Sequence, residues 1–418
     1  MRLLVVLSCL VLAARAQIGS GLAGLAGGGF QGIANAVTSS FNKNDCSRDV
    51  TEDFRRVLYD FSTRLYKQVA KRSDDHFALT QYSVWLSLAG IAEALEGPKQ
   101  QALLTALGLP EAKCLRQKYY SIASGLEQEG EDVTLLRRRY LMVQPDATLP
   151  AEWKKQTAGL LQTCSSEPSE AAFQMLRLSA KPKPATALLG DSLDYAALWT
   201  TAFPSASIKR NQPFYDDNGK QIGTVDMMTT KRRVKLAHLP ILNAKVLELP
   251  VGKDGRYSML MLINLGPFPI RNTIEIFMNT IIVDIMKFMQ ESLVPLEVSI
   301  PMFSLTSEFG LREALEAVGV RDIWGEAGVL PAPKEYYQRV TVNITSEGVG
   351  EESKGGTPGL GSLGGFGSAF GSVVGAATGL AAAVGRDFVA NRPFMFGLVD
   401  GVTQTCLFTG AFSKPQQQ

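Results

Sequence analysis

Val340-Thr341-Val342-Asn343-Ile344, followed almost at once by Glu347-Gly348-Val349-Gly350, decides the fold of this 418-residue chain. The alternating branched residues predict a half-buried strand. What comes next is not an ordinary connection. From Gly355 to Gly385 the chain carries no charged residue and is dominated by Gly, Ala and Ser. An insert of that length with no structure of its own is uncommon inside a globular domain and is usually functional or disordered. Beyond it, Phe394-Met395-Phe396-Gly397-Leu398-Val399 and Thr405-Cys406-Leu407-Phe408-Thr409-Gly410 read as two short buried strands around the turn Asp400-Gly401-Val402-Thr403.

A strand, a loop held away from the body and a buried strand pair resemble the C-terminal region of the serpins. The resemblance extends over roughly residues 50–414. Asp53 to Ala70 resembles the first helix of that family and Tyr82 to Ala89 the second, and Ala106-Leu107-Gly108-Leu109-Pro110 resembles its recurring helix ending. Phe214-Tyr215-Asp216, Val225-Asp226-Met227-Met228 and Asn243 to Pro250 follow in family order. So do Glu297 to Phe303, Leu311 to Val320, Asn391-Arg392-Pro393-Phe394 and Cys406 to Gly410. The resemblance implies an α+β fold with three β-sheets, eight or nine helices and an exposed reactive-centre loop at 348–387. It implies one serpin domain at 46–414, with a tail at 415–418. In that family the loop is bait for a protease.

Arg2, the apolar run Leu3 to Leu12 and the small-residue site Ala14-Arg15-Ala16 read as a signal peptide over residues 1–16, too short to anchor in a bilayer. The product is expected to be secreted and extracellular. Its removal takes two of the 42 basic residues and leaves a nearly neutral chain, which argues against nucleic acid as a partner. Stable membrane insertion is not expected either. Cys46, Cys114, Cys164 and Cys406 remain, allowing three pairings if all are bridged. Cys46, before the first helix, and Cys114, after Leu109-Pro110, are the candidate disulfide; Cys406 reads as a small core residue.

The Gly/Ala-rich arm at 17–45 and the loop share scattered Leu, Phe and Val among their glycines. Unconstrained tails are the plain interpretation. Self-association or matrix attachment is the functional one. No catalytic residue, metal site or cofactor is expected. The two histidines, His76 and His238, lack metal-ligand spacing, and no Gly-x-Ser-x-Gly follows a strand. His76 reads as an exposed partner of Asp74 and Asp75. Lys231-Arg232-Arg233-Val234-Lys235 reads as a strand with one solvated face, more than as a glycosaminoglycan site. The resemblance puts Arg137-Arg138-Arg139 in the main sheet, where at least one arginine needs a buried carboxylate. Asn343-Ile344-Thr345 is a glycosylation sequon.

In inhibitory serpins the cut loop inserts as a new central strand, so the hinge after the Glu-Gly step is small and uncharged. Here the hinge reads Glu347, Gly348, Val349, Gly350, Glu351, Glu352. The resemblance turns Val349 inward, and alternation then buries Glu351, at a cost of about several kcal/mol if unpaired. It places the scissile bond near Gly379, Leu380, Ala381 and Ala382. It also makes Ser83, Asp191 and Gln338 a hydrogen-bonded cluster controlling sheet opening, with Asp191 and Gln338 where asparagine and histidine are expected. Trp199 stands in its family place. Only a short helix fits at Ser169 to Leu178 to lie across the sheet. These features favour a binding or matrix-associated serpin with weak trapping. An active inhibitor of an extracellular serine or cysteine protease is the alternative, and a self-assembling protein a third.

Overall fold

A computed structural model describes residues 45–127, 132–266, 269–277, 282–325, 327–350 and 387–415. Two compact units divide the chain at Arg48. In the first, residues 45–48 form a turn in which the backbone amide of Ser47 donates to Asp45 at 2.9 Å. Everything else described lies in the second unit, Asp49–Gln418.

Its elements begin with helix α1 (Thr51–Ser73), strand β1 (Phe77–Leu79), α2 (Gln81–Ala92), α3 (Gly97–Leu107) and α4 (Lys113–Ser124). Then come β2 (Val133–Val143), α5 (Ala151–Thr157), β3 (Gln162–Ser165), α6 (Pro168–Leu176) and β4 (Ala187–Leu198). A strand-rich middle follows: β5 (Lys209–Tyr215), β6 (Gln221–Arg232), β7 (Lys235–Leu239), β8 (Ala244–Val251) and β9 (Tyr257–Asn264). Next are α7 (Ile270–Phe277), α8 (Ile282–Phe288), β10 (Gln290–Glu291), β11 (Leu296–Pro301), β12 (Phe303–Gly310) and α9 (Arg312–Ala317). The chain closes with β13 (Tyr336–Ile344), β14 (Gly348–Val349), β15 (Phe388–Val389), β16 (Phe394–Asp400) and β17 (Thr405–Phe412).

Three sheets result, in the orders β12-β13-β14-β4-β2-β3, β1-β17-β16-β9-β8-β7-β10 and β15-β11-β6-β5. The architecture is the α+β, three-sheet arrangement expected. The α1 helix buries Phe54, Leu58, Phe61 and Leu65, at the three- and four-residue spacing of one helical face. It starts with Glu52 and Asp53 and ends with Lys71 and Arg72, a distribution that complements the helix dipole. By contrast α2 is buried along its whole length, so it reads as apolar with Ser83 and Ser87 enclosed. Between the sheets a second core gathers Phe303, Phe394, Phe396 and Phe412, with ring centroids 4.6 to 6.3 Å apart. Edge and tilted packing of this kind contributes beyond area burial alone.

The sequence Lys231 to Lys235 is not one strand: β6 ends at Arg232, β7 starts at Lys235, and these belong to different sheets. Val234 is buried in the corner, where its amide meets Ser292, so the alternation there marked a turn between sheets. His76 does not pair with Asp74 or Asp75. Those carboxylates bind Lys414 and Arg271, whereas His76 Nδ1 accepts from the amides of Ser413 and Lys414 at 3.2 Å. Burial, with Lys414 adding to it, lowers the His76 pKa. Cys46 and Cys114 are disulfide-bonded. Cys164 and Cys406 are free thiols, and burial pushes Cys406 up to about 12.

The arginine run on β2 is reconciled with burial by two carboxylates. Arg138 turns to the outer face and meets Asp194 of β4 at 2.7 Å. Arg137 and Arg139, on the inner face, share Glu127, whose side chain is 1% exposed while that of Arg139 is 5% exposed. Arg139 also donates to the Leu160 carbonyl at 2.9 Å. A buried charge of this kind is tolerated only while its partner stays. Glu127→Ala should therefore lower stability by about 3–5 kcal/mol, because it strands Arg139. Glu127→Leu combined with Arg139→Met should recover most of that loss, and denaturant midpoints of the three chains check both statements.

Candidate functional site

The six-stranded sheet has a seam. Over Tyr336–Val340, β13 pairs in parallel with Leu189–Leu193 of β4. Further along, the two strands are separated by β14, which pairs with Ile344 on one side and with Ala197 and Leu198 on the other. Thus the first two residues of the glycine-rich connection already sit between β13 and β4. Val349 points inward and is 3% exposed. Backbone crowding explains the flanking glycines: a Cβ on Gly348 or Gly350 would strike the carbonyl oxygens of Ala197 and Tyr195 respectively. Gly350 has φ +104°, a conformation closed to most L-residues, and its amide donates to the Asn343 carbonyl at 2.7 Å.

The turn leading into β14 is fixed by Thr345 and Trp199. The Thr345 hydroxyl accepts from the amides of Glu347 and Gly348 at 3.3 and 3.2 Å. Trp199 donates its indole N–H to the Thr345 carbonyl at 2.8 Å, and its backbone amide to the Glu347 carbonyl at 2.8 Å. Glu347 itself is exposed. Asn343 is half-buried on the outer face of β13, opposite Ser304 of β12. Glu351, Glu352 and the Gly379, Leu380, Ala381, Ala382 region lie outside the described residues.

Where β13 and β4 are zipped, the structure brings Ser83, Asp191 and Gln338 into one buried cluster. Gln338 Nε2 donates to the two Asp191 oxygens at 2.9 and 3.1 Å. Ser83 also hydrogen-bonds Asp191. Two further members carry no sequence signal, because a hydroxyl on a strand or at a helix start looks like any other. Tyr336 donates to Asp191 at 2.7 Å, and Thr80 does so at 2.9 Å. Thr80 also donates its amide to Gln338 Oε1 at 3.1 Å, tying α2 to β13. Burial pushes the Asp191 carboxyl above its usual range, with these hydrogen bonds opposing. Burial raises Tyr336 as well, with Asp191 adding to it.

Across the outer face lies α6. Glu167 caps it by accepting from the amides of Ser169 and Glu170, and Arg177 ends it in the left-handed region. Leu176 reaches over the seam at Gly190, where a Cβ would sit 2.7 Å from the Tyr337 carbonyl oxygen. Past the helix, Ser179 donates its amide and hydroxyl to Glu308 of β12, the hydroxyl at 2.6 Å. The connection therefore straddles β4, β13 and β12.

A second feature sits between α1 and the seven-stranded sheet. A cavity of about 100 Å³ is walled mainly by apolar side chains, among them Leu58, Leu262, Ile285, Met395 and Phe396. Polar groups at its margin include Arg55, Gln81 and Thr409; Gln81 and Thr409 are hydrogen-bonded to each other at 2.5 Å. Among the described residues no group of His, Cys, Asp and Glu is arranged to hold a metal ion, and no helix is long and apolar enough to cross a membrane.

This arrangement agrees with what the chain is similar to. The family profile for Serpin (serine protease inhibitor) matches residues 175–415. Plasminogen activator inhibitor 2 of Homo sapiens is 26% identical over 241 residues, 54% of this chain and 53% of the relative. The chain thus spans about half the length of that relative. Antichymotrypsin-2 of Bombyx mori is 22% identical over 385 residues, 84% of this chain and 96% of the relative. In structure, a serpin of the insect Tenebrio molitor superposes with TM-score 0.66 at 18% identity, covering 87% of this chain and 99% of its own. Human thyroxine-binding globulin, solved in complex with thyroxine, gives 0.71 at 15% identity, covering 88% and 100%. With the family profile spanning more than half of its length, the chain belongs to the serpin family.

Proposed function

We propose that the chain is a secreted serpin whose hinge weakens protease trapping and which acts by binding. The observation that supports this reading is the inward seat of Val349. In an extended strand the inward positions alternate, so continued insertion carries Glu351 to the same core face two residues later. An unpaired carboxylate there costs on the order of several kcal/mol, and the glycines that follow add little burial in return. Trapping needs insertion to outrun hydrolysis of the acyl-enzyme. A slow insertion makes the loop a substrate. The apolar run Leu3 to Leu12, with Ala14-Arg15-Ala16 after it, supports removal of residues 1–16 and export of one serpin domain behind a Gly/Ala-rich arm.

The names of the relatives favour the alternative, an active inhibitor of an extracellular protease. Incubation with elastase-, trypsin- and cathepsin-type proteases separates the two. The expected outcome is a nicked loop, no complex surviving SDS and no rise in thermal midpoint. Glu351→Ala with Glu352→Ala should raise the yield of covalent complex. Rapid, stoichiometric complex formation by the unaltered chain would overturn the reading.

The cavity beneath α1 supports the binding half of the proposal. Its volume of about 100 Å³ is close to that of cavities, near 150 Å³, that take a single aromatic ring. The thyroxine complex of the human globulin is a precedent for an aromatic ligand on this fold. A small phenol, one apolar ring with one hydroxyl, suits walls of Leu, Ile and Met with a few polar groups at the rim. Titration with phenol should give saturable binding. Leu262→Trp, which fills the space, should abolish it while leaving the far-ultraviolet spectrum intact.

A further inference from the structure

The seam between β4 and β13 is stitched by a carboxylic acid. Continued entry of the connection beyond Val349 must separate, in turn, Val340 from Leu193, Arg339 from Ser192 and Gln338 from Asp191. The third step reaches the cluster. Asp191, Thr80, Tyr336 and Gln338 are each 0% exposed. Two of the donors to Asp191, Gln338 and Tyr336, stand on β13 and leave with that strand, while Thr80 and Ser83 stand at the start of α2.

We propose that Asp191 makes this seam a proton-controlled latch, held more tightly in acid than at neutral pH. The proposal rests on the reading of the seam as the loop's route into the sheet, but not on whether any protease is trapped. A carboxylate sealed at zero exposure has exchanged water for at most a few hydrogen-bond donors, and burial disfavours its charged form. Separating β13 from β4 lets water reach it, so opening relieves that cost. When Asp191 carries a proton there is little cost to relieve, and the closed seam is favoured.

The surroundings agree. From β13 Asp191 faces the neutral Gln338 and the Tyr336 hydroxyl, and from α2 the hydroxyls of Thr80 and Ser83. From β2 the residue in register is Arg139, whose charge is already engaged by Glu127. The charges of Arg138, Asp194, Arg339 and Glu308 belong to the opposite face of the sheet. The sign follows from the direction of the shift. Because burial raises the Asp191 pKa in the closed seam, its contribution is fully present below the ordinary carboxyl range and is lost as pH rises through the raised value.

Hydrogen exchange of the full chain, corrected for intrinsic rates, measures seam opening directly from the ordinary carboxyl range, about pH 4, up to about pH 8. Protection of peptides spanning 336–344 and 187–198 should fall severalfold over that range. Peptides from β8 and β9 should stay flat and serve as the internal reference. Asp191→Asn, a shape-matched neutral side chain, should hold the acid level of protection throughout. Should that variant misfold, Tyr336→Phe removes one donor to the carboxylate and should move the midpoint of the transition to higher pH. Flat protection in the unaltered chain, a rise with pH, or an undiminished slope in Asp191→Asn each overturns the latch. No protease is present, so the outcome is independent of the trapping experiment.

Discussion

The parallel pairing of β13 with β4 over five residue pairs is the constraint on which the rest of the molecule depends. Both strands are anchored elsewhere, β13 to β12 over eight pairs and β4 to β2 over eleven. Each half of the sheet is therefore a firm body, and the weak line runs between them. Along that line the usual ladder bonds are supplemented by a side-chain cluster that is buried, polar and fully shared between β4, β13 and α2. Buried networks of this kind bind strongly when every member is satisfied and fail together when one is withdrawn. The same line is where β14 begins. The most specific polar bonds of the sheet therefore lie next to the two residues that part β13 from β4.

The sheet is braced from below and above. On the inner face the Glu127 pairing of Arg137 and Arg139 keeps β2 charged yet satisfied, so the β2–β4 half does not need water beneath it. On the outer face α6 rests on β2 and β4 through Met142, Ala172, Leu176 and Leu188, and the chain after it reaches across to Glu308 on β12. Any widening of the sheet must therefore also disturb Ser179 and Glu308. The helix is short because Pro168 starts it and Arg177, in the left-handed region, stops it.

How far the sequence foretold this varies by residue. The strand at Val340 to Ile344, the pair flanking Asp400 to Thr403 and the first two helices were legible, since each carries a strong period or stands in family order. The need for a carboxylate under Arg137-Arg138-Arg139 was legible, but Glu127 was not, because it lies in a polar stretch that looks solvent-facing. Ser83, Asp191 and Gln338 could be named by resemblance. Thr80 and Tyr336 could not, because nothing local marks a hydroxyl as a buried donor. The cavity left no trace in sequence at all: its walls come from α1, α8 and strands β8, β9, β16 and β17, and only folding assembles them. His76 misled for a related reason, since its neighbours in sequence, Asp74 and Asp75, face other partners in space.

The seven-stranded sheet has one more consequence. Its second and third strands are β17 and β16, which lie between the edge strand β1 and β9. During folding β9 therefore presents a bare edge until a segment remote in sequence arrives to cover it, and the same is true of β1. Such long-range closure is slow, and an uncovered edge is chemically indifferent to whose chain completes it. Crowding of newly made molecules would set the correct partner, in cis, against an identical strand supplied by a neighbour. The C-terminal hairpin thus acts as a fastener that closes the edges of β1 and β9 together.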